Sequence, residues 1–201
     1  MQEDIAQRTA QGQELLKEHL VKIEANAKLF LSALKGLRRD LPVSMHACSK
    51  YFLAEFPEPV STIGVPPLSS GASFADLREM LSFTESAIDG TIAIKNPPDG
   101  PDQGDREKIF KEIGITHANL MDVSEAAYEL YQCIQTACFE FDVFNTKNIE
   151  VGCPEANILF ERDSLNVAMA LSRALSERAI RLDIDLMESR KRLEFGERQL
   201  K

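Results

Sequence analysis

Three histidines and four cysteines are the side chains of this sequence that invite chemistry: His19, His46 and His117, with Cys48, Cys133, Cys138 and Cys153. A carboxylate-bridged metal site inside a helical bundle is built from Glu-x-x-His pairs facing inward. The residues three before the histidines are Leu16, Val43 and Gly114, so no such pair exists. His46 and Cys48 stand two apart, and on a helix they diverge by about 200°, which is wrong for shared ligation. No CxxC and no HExxH occurs, and neither a metal nor another cofactor is expected. Cys133 and Cys138 are five apart, roughly 140° around a helix axis, which is wrong for pairing. A chain of 201 residues has enough core to do without disulfide staples, so all four are read as reduced thiols of a cytoplasmic protein.

Nucleophilic catalysis needs a cysteine or serine beside a histidine that a third group holds. Nothing in the spacing selects such a trio. The glycines of PDGPDQGD (98–105) lack the Lys-Ser/Thr of a phosphate cradle and follow no strand. His117 is the most informative single residue, because it occupies a seam position of the longest unbroken heptad run. There it either senses pH in helix association or, as a hydrogen-bonded core histidine, fixes register. Ser124, one heptad later, supports the register role.

The elements that must position these residues are helices. Leu16, Leu20, Ile23, Ala27, Phe30, Leu34, Leu37 and Leu41 alternate at spacings of four and three, a heptad seam over about 3–40. Pro42 should stop or kink that helix, and a short helix over 44–56 should follow, capped by Asp40. Ser73 and Asp76 match a capping box opening a helix over 73–95. A helix over 105–144 carries Phe110, Ile113, His117, Leu120, Ser124, Ala127, Tyr131, Ile134, Cys138 and Phe141 at the same spacing. The last helix, 154–199, has Pro154 in its first turn and a seam from Ile158 to Leu193, with Ser172 and Ser189 as polar gaps. Segments 57–72, 96–104 and 145–153 are rich in turn residues and read as flexible loops.

The expected fold is therefore all-α: one domain over 1–201, an elongated antiparallel bundle of four long helices plus one short one with coiled-coil-like seams. A 38-residue helix is about 57 Å long, whereas a sphere of this chain length is about 43 Å across. Gly36 and Gly114 are the places where such rods would break, at about 1 kcal/mol each.

Charge narrows the partners. The formal net charge is −9, and the excess sits in residues 76–154, which hold 15 acidic and 6 basic groups. That segment would repel nucleic acid and anionic membranes alike. The polar, acidic N-terminus reads as neither signal nor transit peptide. The leading expectation is a non-enzymatic scaffold or interaction protein that associates through a coiled-coil-type seam, most simply with a second copy as a dimer. Leu175, Leu182, Leu186 and Leu193 are its candidate partner contacts, because the final helix outlasts a 22-residue neighbour. The alternative is a peripheral membrane protein whose curved helical dimer resembles BAR domains in architecture, with no shared motif. Its basic contact would be Arg190, Lys191 and Arg192. A third class is a cysteine- or histidine-dependent enzyme. Two further features have two readings each: loop 57–72 is a proline-rich ligand or a spacer, and Tyr128, Tyr131, Phe139, Phe141 and Phe144 form a core plug or an exposed patch.

Overall fold

A computed structural model of the chain describes residues 2–48, 52–53, 63–88, 93–94 and 103–195. The fold is all-α. Four helices make it: α1 (Gln2–Cys48), α2 (Phe74–Ile88), α3 (Gln103–Glu150) and α4 (Arg162–Phe195). A two-residue antiparallel ladder joins β1 (Phe52–Leu53) to β2 (Ala93–Ile94). At 48 residues α3 is about 72 Å long. Helix α3 packs along both α1 and α4, and α2 covers α4.

The seams close on one another inside the chain. Ile23, Ala27, Phe30, Leu34 and Leu37 of α1, Ile113, Leu120, Ala127, Ile134 and Phe141 of α3, and Leu165, Ala168, Leu175 and Ala179 of α4 are buried in one continuous core. Polar pairs at the edges of these seams show the register. Across α1 and α3, His19 Nε2 meets Glu140 Oε2 at 2.9 Å, and Asn119 Nδ2 donates to Asp40 Oδ2 at 2.8 Å. The two pairs lie three heptads apart on both helices. Across α3 and α4, His117 pairs with Asp183 and Ser124 with Ser176, one heptad apart on both. Both interfaces are antiparallel and neither slips.

Five expectations are corrected. Helix α1 continues through Pro42 to Cys48, so 3–40 and 44–56 are not two helices; Phe52 and Leu53 are extended, and the remainder of 44–56 lies outside the described residues. Proline in a helix interior costs about 3 kcal/mol, but it is one local term against the packing of a long rod. Asp40 lies within α1 rather than at the start of a helix, and it receives Asn119 and the guanidinium of Arg39. Helix α2 ends at Ile88, and Ala93–Ile94 is extended rather than helical. Residues 145–150 are the last turns of α3, not a flexible loop. Finally, α4 starts at Arg162 while Pro154 opens a 3₁₀ turn, Pro154–Ala156.

Two asparagines explain the last pair of corrections. Asn145 grips Ile158 from both sides, donating Nδ2 to its carbonyl (3.0 Å) and accepting its amide on Oδ1 (2.7 Å). Asn148, fully buried, donates to the Ala156 carbonyl and accepts from Arg8. These residues signal a turn because their amides satisfy backbone groups. Here they do so from helical positions, and the turn they organise comes later. The capping box at Ser73 is present: Asp76 Oδ2 accepts the Ser73 amide at 2.8 Å, and Ser73 Oγ accepts the Asp76 amide at 3.4 Å. Neither Gly36 nor Gly114 breaks its helix.

The described part of the proline-rich segment is not a free ligand. Leu68 is buried, Lys35 Nζ donates to the Ile63 carbonyl at 2.9 Å, and Glu24 of α1 accepts both the amide and the hydroxyl of Ser69. Residues 57–62, and most of 96–104, lie outside the described residues.

Candidate functional site

Leu175, Leu182 and Leu186 are buried in this chain's own core, and Leu193 packs against it. Their expected role as a contact for another chain is corrected on physical grounds. The partner that α4 needs is α3, which is long enough to cover it, and exposing three buried leucines would cost about 1.5–3 kcal/mol each. Two of the basic trio at the end of α4 are paired within that helix. Arg190 is bonded to Glu194 (3.0 Å) and lies 5.6 Å over the Phe110 ring, and Arg192 stands 3.9 Å from Glu188. Lys191 is exposed.

His117 is half-exposed, with Nδ1 at 2.6 Å from Oδ1 of the largely buried Asp183. Ser124 and Ser176, both buried, share a hydrogen bond of 3.0 Å. Both contacts cross from α3 to α4, the geometry that a register role would use. The aromatic group divides: Phe141 is in the core, Tyr131 and Phe144 are half-buried, and Tyr128 and Phe139 are exposed, by 48% and 68%.

His19, which sequence spacing passed over, is the most unusual titratable residue. It is 2% exposed, its ring meets the edge of Phe141 at 5.3 Å, and its Nε2 faces the Glu140 carboxylate. A carboxylate accepts, so Nε2 carries the hydrogen of that contact. The buried Nδ1 has no hydrogen-bond partner. His19 lines a groove of about 410 Å³ with Lys22 and Asn26 of α1 and Glu129, Gln132, Cys133 and Thr136 of α3. The polarity of a groove between two apolar seams has no signal in either seam alone, because it arises only when the helices are set side by side.

Cys133 and Cys138 are both shifted away from the thiolate. Burial pushes Cys133 above the ordinary thiol value, with Asn26 and Lys22 offsetting part of the rise, and burial and Asp142 do the same to Cys138. A nucleophilic cysteine needs the opposite shift. Cys133, Cys138 and Cys153 are free thiols, while the side chains of His46 and Cys48 lie outside the described residues. Among the described residues no three His, Cys, Asp or Glu side chains gather as a metal-binding group, and no helix is long and apolar enough to cross a membrane.

Beside the groove, α3 turns a face away from the core. Ala118, Met121, Glu125, Tyr128, Gln132, Gln135 and Phe139 follow one another at spacings of three and four, and all are exposed. This second line on α3 went unread in the sequence because polar residues interrupt it, whereas the buried seam on the same helix is more continuous. Met121, Tyr128 and Phe139 are 44%, 48% and 68% exposed. Comparison with protein families, with curated proteins and with solved structures gave no match. The functional reading therefore rests on the geometry of this face and its groove.

Proposed function

We propose that this chain is a helical interaction protein that acts by association and not by turnover, and that the surface it offers is the outer face of α3. The observation that carries this reading is the exposed line from Ala118 to Phe139. It sits on the one helix that packs against both α1 and α4, and it holds three large apolar side chains that the fold leaves open to solvent. Large apolar side chains left exposed on one face of a long helix are a pattern by which helices take other helices as partners. A rod with both of its long interfaces locked in register is a stiff platform for such a contact. The raised thiols of Cys133 and Cys138 weigh against the cysteine-enzyme reading. The internal pairing of Arg190 and Arg192 weighs against the membrane reading. Cytoplasmic placement is part of the proposal.

Site-specific photo-crosslinking tests it. A benzoylphenylalanine placed at Gln135, on the outer line, should give discrete protein adducts in the producing cells. The same group at exposed Lys28, on α1, should give few. Adducts at Lys28 with none at Gln135 would overturn the assignment of this face. Size-exclusion chromatography with light scattering then separates a second copy from a foreign partner.

A further inference from the structure

We infer that the outer face of α3 docks an amphipathic helix rich in arginine, one of whose guanidinium groups enters the groove that ends at His19. The inference rests on the association reading above and names the partner's chemistry.

The face carries Met121, Tyr128 and Phe139 among polar residues, with carboxylates along and beside the line. From Glu112 to Thr146, α3 carries six carboxylates and no lysine or arginine. Two of them are matched inside the chain: Glu140 by His19, and Asp142 by Arg162. Asp122, Glu125 and Glu129 are exposed and have no cationic partner among the described residues. Their spacings of three and four place like charges side by side on one helix, an arrangement that destabilises it until a cation arrives. A second copy docked on the same face would set carboxylates against carboxylates, and an anionic bilayer would be repelled for the same reason. A helix with apolar residues in its seam and cations on its flanks fits both the line and the charges.

The groove selects arginine. Glu129 and Gln132 border it from α3, so it is continuous with the docking line. Its α1 wall holds His19, 2% exposed, whose buried Nδ1 has no hydrogen-bond partner. Lys22, which also borders the groove, has its charge matched by Glu18, 2.6 Å from its ammonium. A guanidinium carries five N–H donors in a planar fork. It can give some to the Glu129 carboxylate and another to the Gln132 amide oxygen, packing its flat face beside His19, which an aliphatic side chain or a carboxylate cannot do.

The probe is a labelled three-heptad peptide with leucine in its seam and arginine on its flanks, titrated into the full chain. Matched peptides carry lysine or glutamate in place of arginine. The arginine peptide should bind, the lysine peptide more weakly and the glutamate peptide not at all, with affinity falling as salt rises. Replacing Tyr128 and Phe139 together by alanine leaves the charge unchanged and removes two exposed side chains; it should weaken binding about tenfold or more. Glu129→Gln should weaken binding and flatten the salt dependence. Because substitution of buried His19 risks the fold, the residue serves as a reporter in the intact protein: its ring ¹⁵N resonances should shift on peptide addition as the groove it lines is filled. Equal binding of the arginine and glutamate peptides would overturn the inference. So would affinity unchanged by Y128A/F139A and Glu129→Gln, a still His19 resonance, or dimerisation through this face. Photo-adducts at Gln135 without peptide binding would leave association standing and remove only the arginine helix; absence of both removes both.

Discussion

His117 Nδ1 stands 2.6 Å from Asp183 Oδ1 across the α3–α4 interface, and one heptad further along both helices Ser124 Oγ stands 3.0 Å from Ser176 Oγ. The repeat of two polar contacts at identical spacing on antiparallel helices means that sliding α4 by one turn would separate both. Polar pairs so placed are what would distinguish one register from another between otherwise interchangeable apolar layers.

Ser124→Ala and Ser176→Ala should each destabilise the fold by about 1 kcal/mol, because each leaves a buried hydroxyl without its partner. The double variant should lose clearly less than the two single losses combined, since it removes both ends of the bond. Urea unfolding of the four proteins measures the coupling. Strict additivity would deny these serines a shared role.

Two helical glycines make opposite predictions for the addition of a side chain. A Cβ on Gly114 would meet nothing within 4 Å, so Gly114→Ala should stabilise by about 0.5–1 kcal/mol through helix propensity. A Cβ on Gly12 would approach Phe144 Cε1 to 3.0 Å and Ile158 Cγ1 to 3.2 Å. Gly12→Leu should therefore destabilise by about 1–3 kcal/mol as the neighbouring side chains are displaced. Thermal unfolding distinguishes the two.

Glu24 ties the 63–73 segment to α1. Lys28, the Ser69 hydroxyl and the Ser69 amide hold its carboxyl at about 2, well below the ordinary 4.5. A depressed carboxylate stabilises the folded state fully above its ordinary value and loses that contribution as pH falls through the folded one. The tie should therefore persist at pH 5 and fail between about 4.5 and 2. Hydrogen exchange at the Ser69 amide should rise across that window, and Glu24→Gln should show faster exchange at neutral pH as well.

The thiols of Cys133 and Cys138 should react with a disulfide reagent more slowly in the folded chain than in urea, and faster as pH rises. Burial raises both, so the thiolate fraction at neutral pH is small. A single thiol reacting quickly at pH 7, mapped to either position by mass spectrometry, would reopen the catalytic reading.

What the sequence determined by itself was the existence of the long rods and the buried side of each. The periodicity that places Ile23, Phe30 and Leu37 on one stripe is local and additive, so Gly114 within α3 and Pro42 within α1 could not override it. The capping box at Ser73 was legible for the same reason, since it involves residues three apart. Only the tertiary structure decided which seam closes on which. Leu175, Leu182 and Leu186 looked available to another chain because their cover, α3, lies far away along the sequence. Asn145 and Asn148 read as loop residues, because composition does not say whether an amide serves its own turn or one a dozen residues on. The groove at His19 exists only between two helices, from residues more than a hundred positions apart, and local spacing carries no information about such a meeting.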